Sequence, residues 1–250
     1  MPEEQITLAR ADRSTDCAAF VSYAVGCMMG RYSLDLPGLI LADAGGTVED
    51  YLAKVPSPTF APDADGIIPL TEHTWFGDDA ATRLEEFLRV TFERETLEEN
   101  LQFLATSLGS KPTEPARDAL RRYFANDFFH NHLSGERAYG YKNRPIYWLF
   151  SSGRQQAFQC LVYLHRYTPG TLARMRTEYV ISLQGKIAAR IAHLEEEKTH
   201  ATASAQRKKL QTEQDKLTKQ QTELRAFDEQ FRHYADQRVA LVSCNIQSFG

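Results

Sequence analysis

The sequence is poor in the features that mark secreted and membrane proteins. It contains four cysteines in 250 residues, and no two of them form a C-x-x-C pair or a metal-ligand spacing. This usage is typical of reduced thiols in a cytoplasm. Apolar runs such as Ala18–Val21 and Ile146–Phe150 are far too short to cross a bilayer, and no basic stretch followed by an apolar one opens the chain. We therefore expect a cytoplasmic protein without a signal peptide and without membrane contact.

Motifs of catalysis are also missing. Gly45-Gly46 is not followed by the Lys-Ser/Thr of a phosphate loop, and Ser151-Ser152-Gly153 lacks the flanking glycines of a hydrolase elbow. His130 and His132 are two residues apart and do not share a helix face, so they are poorly spaced to bind one metal ion. Asp78-Asp79 fits the start of a helix. We expect no catalytic, cofactor-binding or metal-binding residue in this chain.

The composition is that of a soluble globular protein, with 42% hydrophobic and 25% charged residues. A net charge of −4 conceals an uneven distribution. Residues 1–140 hold 12 Lys and Arg against 23 Asp and Glu, whereas residues 141–250 hold 17 against 10. The first part repels a phosphate backbone on average, and the second is able to approach one.

Residues 1–140 are predicted to form a mixed helical and loop-rich acidic region. Apolar residues at helical spacing predict a first helix from about Asp16 to Met29. Ser14 or Thr15 can cap this helix, and Gly30 can end it. Its face is apolar enough to be buried, so we expect it to pack against a partner.

Glycines and prolines punctuate residues 31–77, which are predicted to be irregular apart from one or two helical turns at 48–53. After this segment the helical spacing returns. Three further helices are predicted at about 79–92, 96–108 and 114–132.

Residues 141–170 are predicted to form a basic, aromatic β-hairpin segment. An Arg-Pro pair precedes an extended run at 146–150, and residues 157–164 are again rich in β-forming residues. The Ser-Ser-Gly sequence at 151–153 is typical of the turn between two strands. The pattern therefore predicts a short antiparallel β-hairpin near 145–165.

Residues 171–240 are predicted to be long helices, because they contain one glycine and no proline. Leu210, Leu217, Leu224 and Phe231 recur every seven residues, which is the coiled-coil period. The polar stretch 195–209 either turns the chain into a helical hairpin or continues as a solvated helix, and the charged positions are expected to face solvent. The predicted fold is therefore α+β and predominantly helical, with a coiled-coil-like C-terminal arm before a divergent tail at 241–250.

Basic residues interleaved with aromatic ones mark the hairpin and the start of the arm. The candidates for DNA contact are Lys142, Arg144, Arg154, Arg166, Arg174 and Arg176. Basic side chains bind phosphate through charge and counterion release, and the neighbouring aromatic rings can stack or pack against sugars. A core hairpin with solvated charged edges is the alternative interpretation, and both stay open.

Two segments resemble the PglX family of adenine-specific DNA methyltransferases from BREX phage-defence systems. The first is residues 20–35 (FVSYAVGCMMGRYSLD), followed by PGLI at 37–40. The second is residues 144–152 (RPIYWLFSS), followed by LVYLHRY at 161–167. Trp75-Phe76 and the helices after it occur in the family's order. The resemblance covers about residues 5–240.

The resemblance implies a C-terminal fragment of a long enzyme that joins an S-adenosylmethionine-dependent methyltransferase domain to a later target-recognition and helical region. The family's catalytic Asn-Pro-Pro-Tyr motif is absent here, as is a Gly-x-Gly cofactor turn, so no catalytic or cofactor residue is carried over. The implied partners are double-stranded DNA, the missing methyltransferase domain and other BREX subunits. Met1 would correspond to an internal family position, which an interrupted reading frame would explain.

Three hypotheses follow, and the first is a non-catalytic DNA-recognition and scaffold segment of a methyltransferase. The second is a helical protein-interaction module that docks other defence-system subunits without touching DNA. An independent enzyme is the third, and the missing motifs disfavour it.

Overall fold

The computed structural model describes residues 11–134 and 146–237 and confirms an α+β, mostly helical architecture. The helices are α1 (Arg13–Met28), α2 (Val48–Lys54), α3 (Ala80–Thr91), α4 (Leu97–Ser107), α5 (Ala116–Asn126), α6 (Phe128–Ser134), α7 (Thr171–Arg174), α8 (Ile181–His200) and α9 (Ser204–Asp236). The strands are β1 (Ile67–Pro69), β2 (Tyr147–Ser151) and β3 (Gln159–Tyr163). A π-helical turn, Met175–Val180, joins α7 to α8 without a break in the helix.

Helix α1 begins about three residues before its predicted start. Asp12, and not Ser14 or Thr15, is the N-cap, because its carboxylate accepts a hydrogen bond from the Thr15 N–H at 2.7 Å. A carboxylate at this end also interacts favourably with the helix dipole. Gly30 ends the helix as predicted, with a φ of +75° that favours glycine.

The predicted helix over 114–132 is in fact two helices, α5 and α6, with a turn at Asp127. The turn redirects the chain so that α6 contacts α1 as well as α5. Phe128, just after the turn, is fully buried, and its ring centroid lies 5.4 Å from that of Phe124. Burial of this ring against two helices outweighs the local preference for one continuous helix.

The predicted β-hairpin is confirmed, since β2 and β3 pair antiparallel with Leu149 opposite Leu161. A third strand, β1, pairs with the other edge of β3, so the strand order is β1-β3-β2. Pro69 is tolerated in β1 because this strand lies at the edge of the sheet.

Two hydrophobic clusters lie on opposite faces of the sheet. Leu161 and Tyr163 of β3 point into the cluster formed with α1 and α3–α6, whereas Cys160 and Val162 point into the one formed with α7–α9. This alternation follows the two-residue period of a strand. Every residue of β3 is buried, so the sheet is the layer that joins the two clusters.

The C-terminal arm is a helical hairpin, because α8 ends at His200, α9 begins at Ser204 and the two helices pack against each other. The four heptad residues named above are all buried. Near the end of α9, the Phe231 ring lies 6.2 Å from that of Phe150, so this part of the arm packs against the sheet. No helix in the two described ranges has the apolar length that a bilayer crossing requires.

Candidate nucleic-acid interface

The turn between β2 and β3 presents Arg154 to solvent. Ser152 N–H donates to the Phe158 carbonyl at 2.8 Å, and Gln156 N–H donates to the Gly153 carbonyl at 3.0 Å, which closes the turn. Gly153 and Gln156 both have positive φ, +129° and +48°. For Gln156 this conformation is uncommon and costs on the order of 1 kcal/mol or more. The turn therefore keeps its shape through contacts made elsewhere.

Glu223 of α9 supplies those contacts. Its carboxylate accepts hydrogen bonds from the Ser152 hydroxyl at 2.8 Å, from the Gln155 N–H at 2.6 Å and from the Ala157 N–H at 3.2 Å. The Gln220 side-chain amide, nearly one helical turn earlier, donates to the Gln155 carbonyl at 3.1 Å. A single carboxylate thus fixes both sides of the turn, and helix α9 holds the hairpin in place.

The glycine in the turn also depends on Glu223. A Cβ atom at Gly153 would lie 3.1 Å from Glu223 Oε2, so the carboxylate would have to shift by a few tenths of an ångström to accommodate a side chain there. The sequence predicts that the charged positions of the heptad segment face solvent. For Glu223 this prediction is wrong, because its carboxylate binds the turn. Its sequence signal is weak, because one more glutamate in a charged helix does not stand out.

Arg174 and Arg176 lie in and just after α7. Arg174 is exposed and 3.6 Å from the equally exposed Glu178, a pairing that contributes little. Arg176 is half-buried, with Nε 2.7 Å from Asp228 Oδ1 and a second nitrogen donating to Oδ2 at 3.1 Å. Helix α9 therefore anchors this arginine through Asp228.

Arg166 is buried and holds a loop in place. Its guanidinium donates to the Asp63 carbonyl at 2.7 Å and to the Ala64 carbonyl at 2.9 Å. Gly66, with φ of +74°, packs against its side chain. The two remaining candidates, Lys142 and Arg144, lie outside the described residues.

The histidine and aspartate pairs noted in the sequence have structural partners. His132 hydrogen-bonds to the Ser22 hydroxyl and stacks on Phe128, and burial lowers the pKa of its ring to about 4. Asp79 caps α3 through the Thr82 N–H at 2.8 Å and pairs with Arg121 at 2.7 Å. In the described parts of the chain, no group of His, Cys, Asp and Glu is arranged to hold a metal ion.

Comparison with known proteins finds relatives along almost the whole chain. An adenine-specific methyltransferase BrxX from Escherichia coli O9:H4 (strain HS) is 42% identical over 259 aligned residues, which cover 99% of this chain and 21% of the relative. An adenine-specific methyltransferase PglX from Lacticaseibacillus casei (strain Zhang) is 39% identical over 246, covering 96% and 20%. The chain thus spans about a fifth of the length of these curated relatives. No protein-family model matches it.

Proposed function

Since this chain is homologous to one segment of the PglX-type adenine-specific methyltransferases, we propose that it is the non-catalytic DNA-recognition and scaffold segment of such an enzyme in a BREX phage-defence system. Its partners are then double-stranded DNA, the methyltransferase domain and other BREX subunits. The observation that carries the proposal is the exposed Arg154 on a turn that α9 holds in one conformation.

Arg154 and Arg174 are the exposed members of the candidate set within the described residues, and we propose them as phosphate contacts. Arg154 has no internal partner in the described residues, and Arg174 has only a solvated one. Each is able to exchange water and counterions for a phosphate oxygen at small cost. Lys142 and Arg144 remain predicted contacts. We propose that Arg166 and Arg176 stabilise the fold and do not contact DNA, because their guanidinium groups are already bonded within the protein.

We place cofactor binding and methyl transfer in the rest of the enzyme. The catalytic Asn-Pro-Pro-Tyr motif and the Gly-x-Gly turn are absent from this sequence. Gly45-Gly46, the nearest approach to such a turn, precedes α2 but follows no strand. The Thr47 and Asp50 side chains already occupy the first turn of that helix as a capping box. These residues do not fit S-adenosylmethionine.

The salt dependence of DNA binding tests the proposal. The 250-residue chain is titrated onto a fluorescent duplex over a series of salt concentrations, beginning at low salt because the acidic first part opposes approach. Each lost phosphate contact lowers the slope of log affinity against log salt by about 0.9. We expect Arg154→Ala with Arg174→Ala to flatten the slope by up to roughly 2 units and to weaken binding to all sequences.

A matched control removes two exposed cations from the acidic part. Arg94→Ala with Lys111→Ala makes the same charge change and is expected to leave the slope unaltered. No measurable DNA binding, or an unchanged slope in the Arg154 and Arg174 variant, would reject the DNA role. The helical docking module for other defence-system subunits would then be the better description.

A further inference from the structure

The β2–β3 turn carries three consecutive side chains whose chemistry suits base recognition: Arg154, Gln155 and Gln156. We infer that this turn reads base edges in the major groove, with Arg154 directed at a guanine and one or both glutamines at an adenine. The inference rests on the proposed function and replaces the phosphate contact of Arg154 with a base contact, so that Arg174 supplies the phosphate contact of the pair.

The chemical match follows from the donor and acceptor patterns of the bases. Guanine presents two acceptors, N7 and O6, which a guanidinium contacts with two parallel N–H groups. Adenine presents an acceptor and a donor, N7 and N6–H, which a glutamine amide matches with its own donor and acceptor. In the described parts of the chain, the side-chain amides of Gln155 and Gln156 form no hydrogen bond, so both remain available.

The shape of the element fits the same ligand. The major groove of duplex DNA is wide enough for a two-stranded β-ribbon. β2 and β3 form the hairpin of the three-stranded sheet, and its turn, the tip that carries the three side chains, lies beyond the part of β3 that pairs with β1. The sheet behind the tip packs against helices on both faces, and α9 contacts the tip through Glu223 and Gln220, so the exposed Arg154 is the side chain best placed to enter a groove.

Base recognition also requires a fixed tip, because a bidentate contact fails when the side chain's origin shifts by a fraction of an ångström. Glu223 meets this requirement, since it binds the hydroxyl or N–H of Ser152, Gln155 and Ala157. The uncommon backbone conformation of Gln156 lies within the segment that these bonds hold. Glu223 is therefore a positioning residue and makes no DNA contact itself.

The first experiment selects preferred duplexes from a randomised library with the 250-residue chain and its variants. We expect Arg154→Lys, which keeps the charge but loses the two-pronged donor, to reduce discrimination at a guanine by roughly tenfold to a hundredfold. Gln155→Ala or Gln156→Ala should reduce discrimination at an adenine to a similar degree, with the salt slope unchanged. Gln102→Ala, at an exposed glutamine of α4, is the matched control.

The second experiment tests the positioning role. Glu223→Gln removes the charge and one acceptor oxygen, so the turn should loosen and lose base discrimination while total affinity for DNA rises slightly. Glu229→Gln changes the charge in the same way at an exposed position of α9 and should raise affinity without any loss of discrimination. If Glu223→Gln only misfolds the protein, total affinity and base discrimination should both fall. Circular dichroism at the assay temperature detects such misfolding.

The outcomes separate this inference from the proposed function. If the chain binds DNA with the expected salt slope but Arg154→Lys and both glutamine variants keep the parental base preference, the inference is overturned and the proposed function stands. If Arg154→Ala with Arg174→Ala leaves the salt slope unchanged and no preferred duplex is selected, the inference and the proposed function are both overturned. Loss of preference in these variants, with the slope retained, supports both.

Discussion

The Tyr179 hydroxyl lies 3.1 Å from Oδ2 of Asp65, within hydrogen-bond distance. It lies at the same distance from Oδ2 of Asp78. A hydroxyl donates only one proton. One of these two carboxyl groups therefore bonds to it only as a donor, and for this the carboxyl group must itself carry a proton. Burial, reinforced by the charge of Asp63, raises the pKa of Asp65 to about 7. The π-helical turn before α8 is thus tied to the loop before β1 through a carboxyl group that keeps its proton in mild acid.

The stability of the protein should therefore depend on the protonation of Asp65. The folded state holds a proton that the unfolded state releases near the ordinary pKa of 3.8, so stability falls as pH rises from about 4 to about 7. Asp65→Asn should reduce the loss of stability over this pH range by roughly 1–3 kcal/mol, because the asparagine amide does not titrate. Urea unfolding in mild acid and in mild base measures the difference. Asp43→Asn, at an exposed loop residue, is the control, and an equal fall in the Asp65 variant would contradict the prediction.

Arg166 should matter for stability far more than Arg154. Arg166→Ala leaves the buried Asp63 carbonyl and the partly buried Ala64 carbonyl without their donor, which costs about 2–4 kcal/mol. Arg154→Ala removes an exposed side chain and should change the free energy of unfolding by less than about 0.5 kcal/mol. Chemical denaturation of the two variants provides the comparison. A loss of stability in Arg166→Ala as small as that in Arg154→Ala would show that Arg166 does not hold the loop.

The heptad residues of α9 should stabilise the whole protein and not only the arm. Leu224 is fully buried in the cluster that includes β3, so Leu224→Ala should cost about 2–5 kcal/mol. Lys219→Ala, at an exposed position of the same helix, should be nearly neutral. Thermal unfolding followed by circular dichroism and by tryptophan fluorescence tests this. Two separate steps of helix loss, with only one of them shifted by Leu224→Ala, would indicate that the arm unfolds independently.

The 250-residue chain should bind no S-adenosylmethionine and should methylate no DNA by itself. The reason is the absent Asn-Pro-Pro-Tyr motif and the occupied first turn of α2. Calorimetric titration with the cofactor, and transfer of a labelled methyl group to duplex DNA, are the measurements. Binding in the micromolar range would contradict the assignment of both activities to the rest of the enzyme.

Local sequence patterns predicted the elements whose signals are periodic and long. The apolar spacing of α1, the two β-rich runs around Ser151-Ser152-Gly153 and the seven-residue repeat of α9 each gave the correct element type. They failed where a distant contact decided the outcome. The turn at Asp127 depends on burial of Phe128, and β1 is a strand because β3 offers an unpaired edge.

The candidate site shows the same division. The sequence placed Arg154 among the candidates, because a basic residue beside a turn is a local feature. Whether a given arginine faces solvent is not local, since Arg166 and Arg154 belong to the same basic hairpin segment, yet a loop about a hundred residues away buries only the first. The sequence by itself determined the element types, the charge asymmetry and the family resemblance. Only the tertiary structure decided which cations are free and that Glu223 holds the turn, because hydrogen bonds between distant residues form only when packing brings them together.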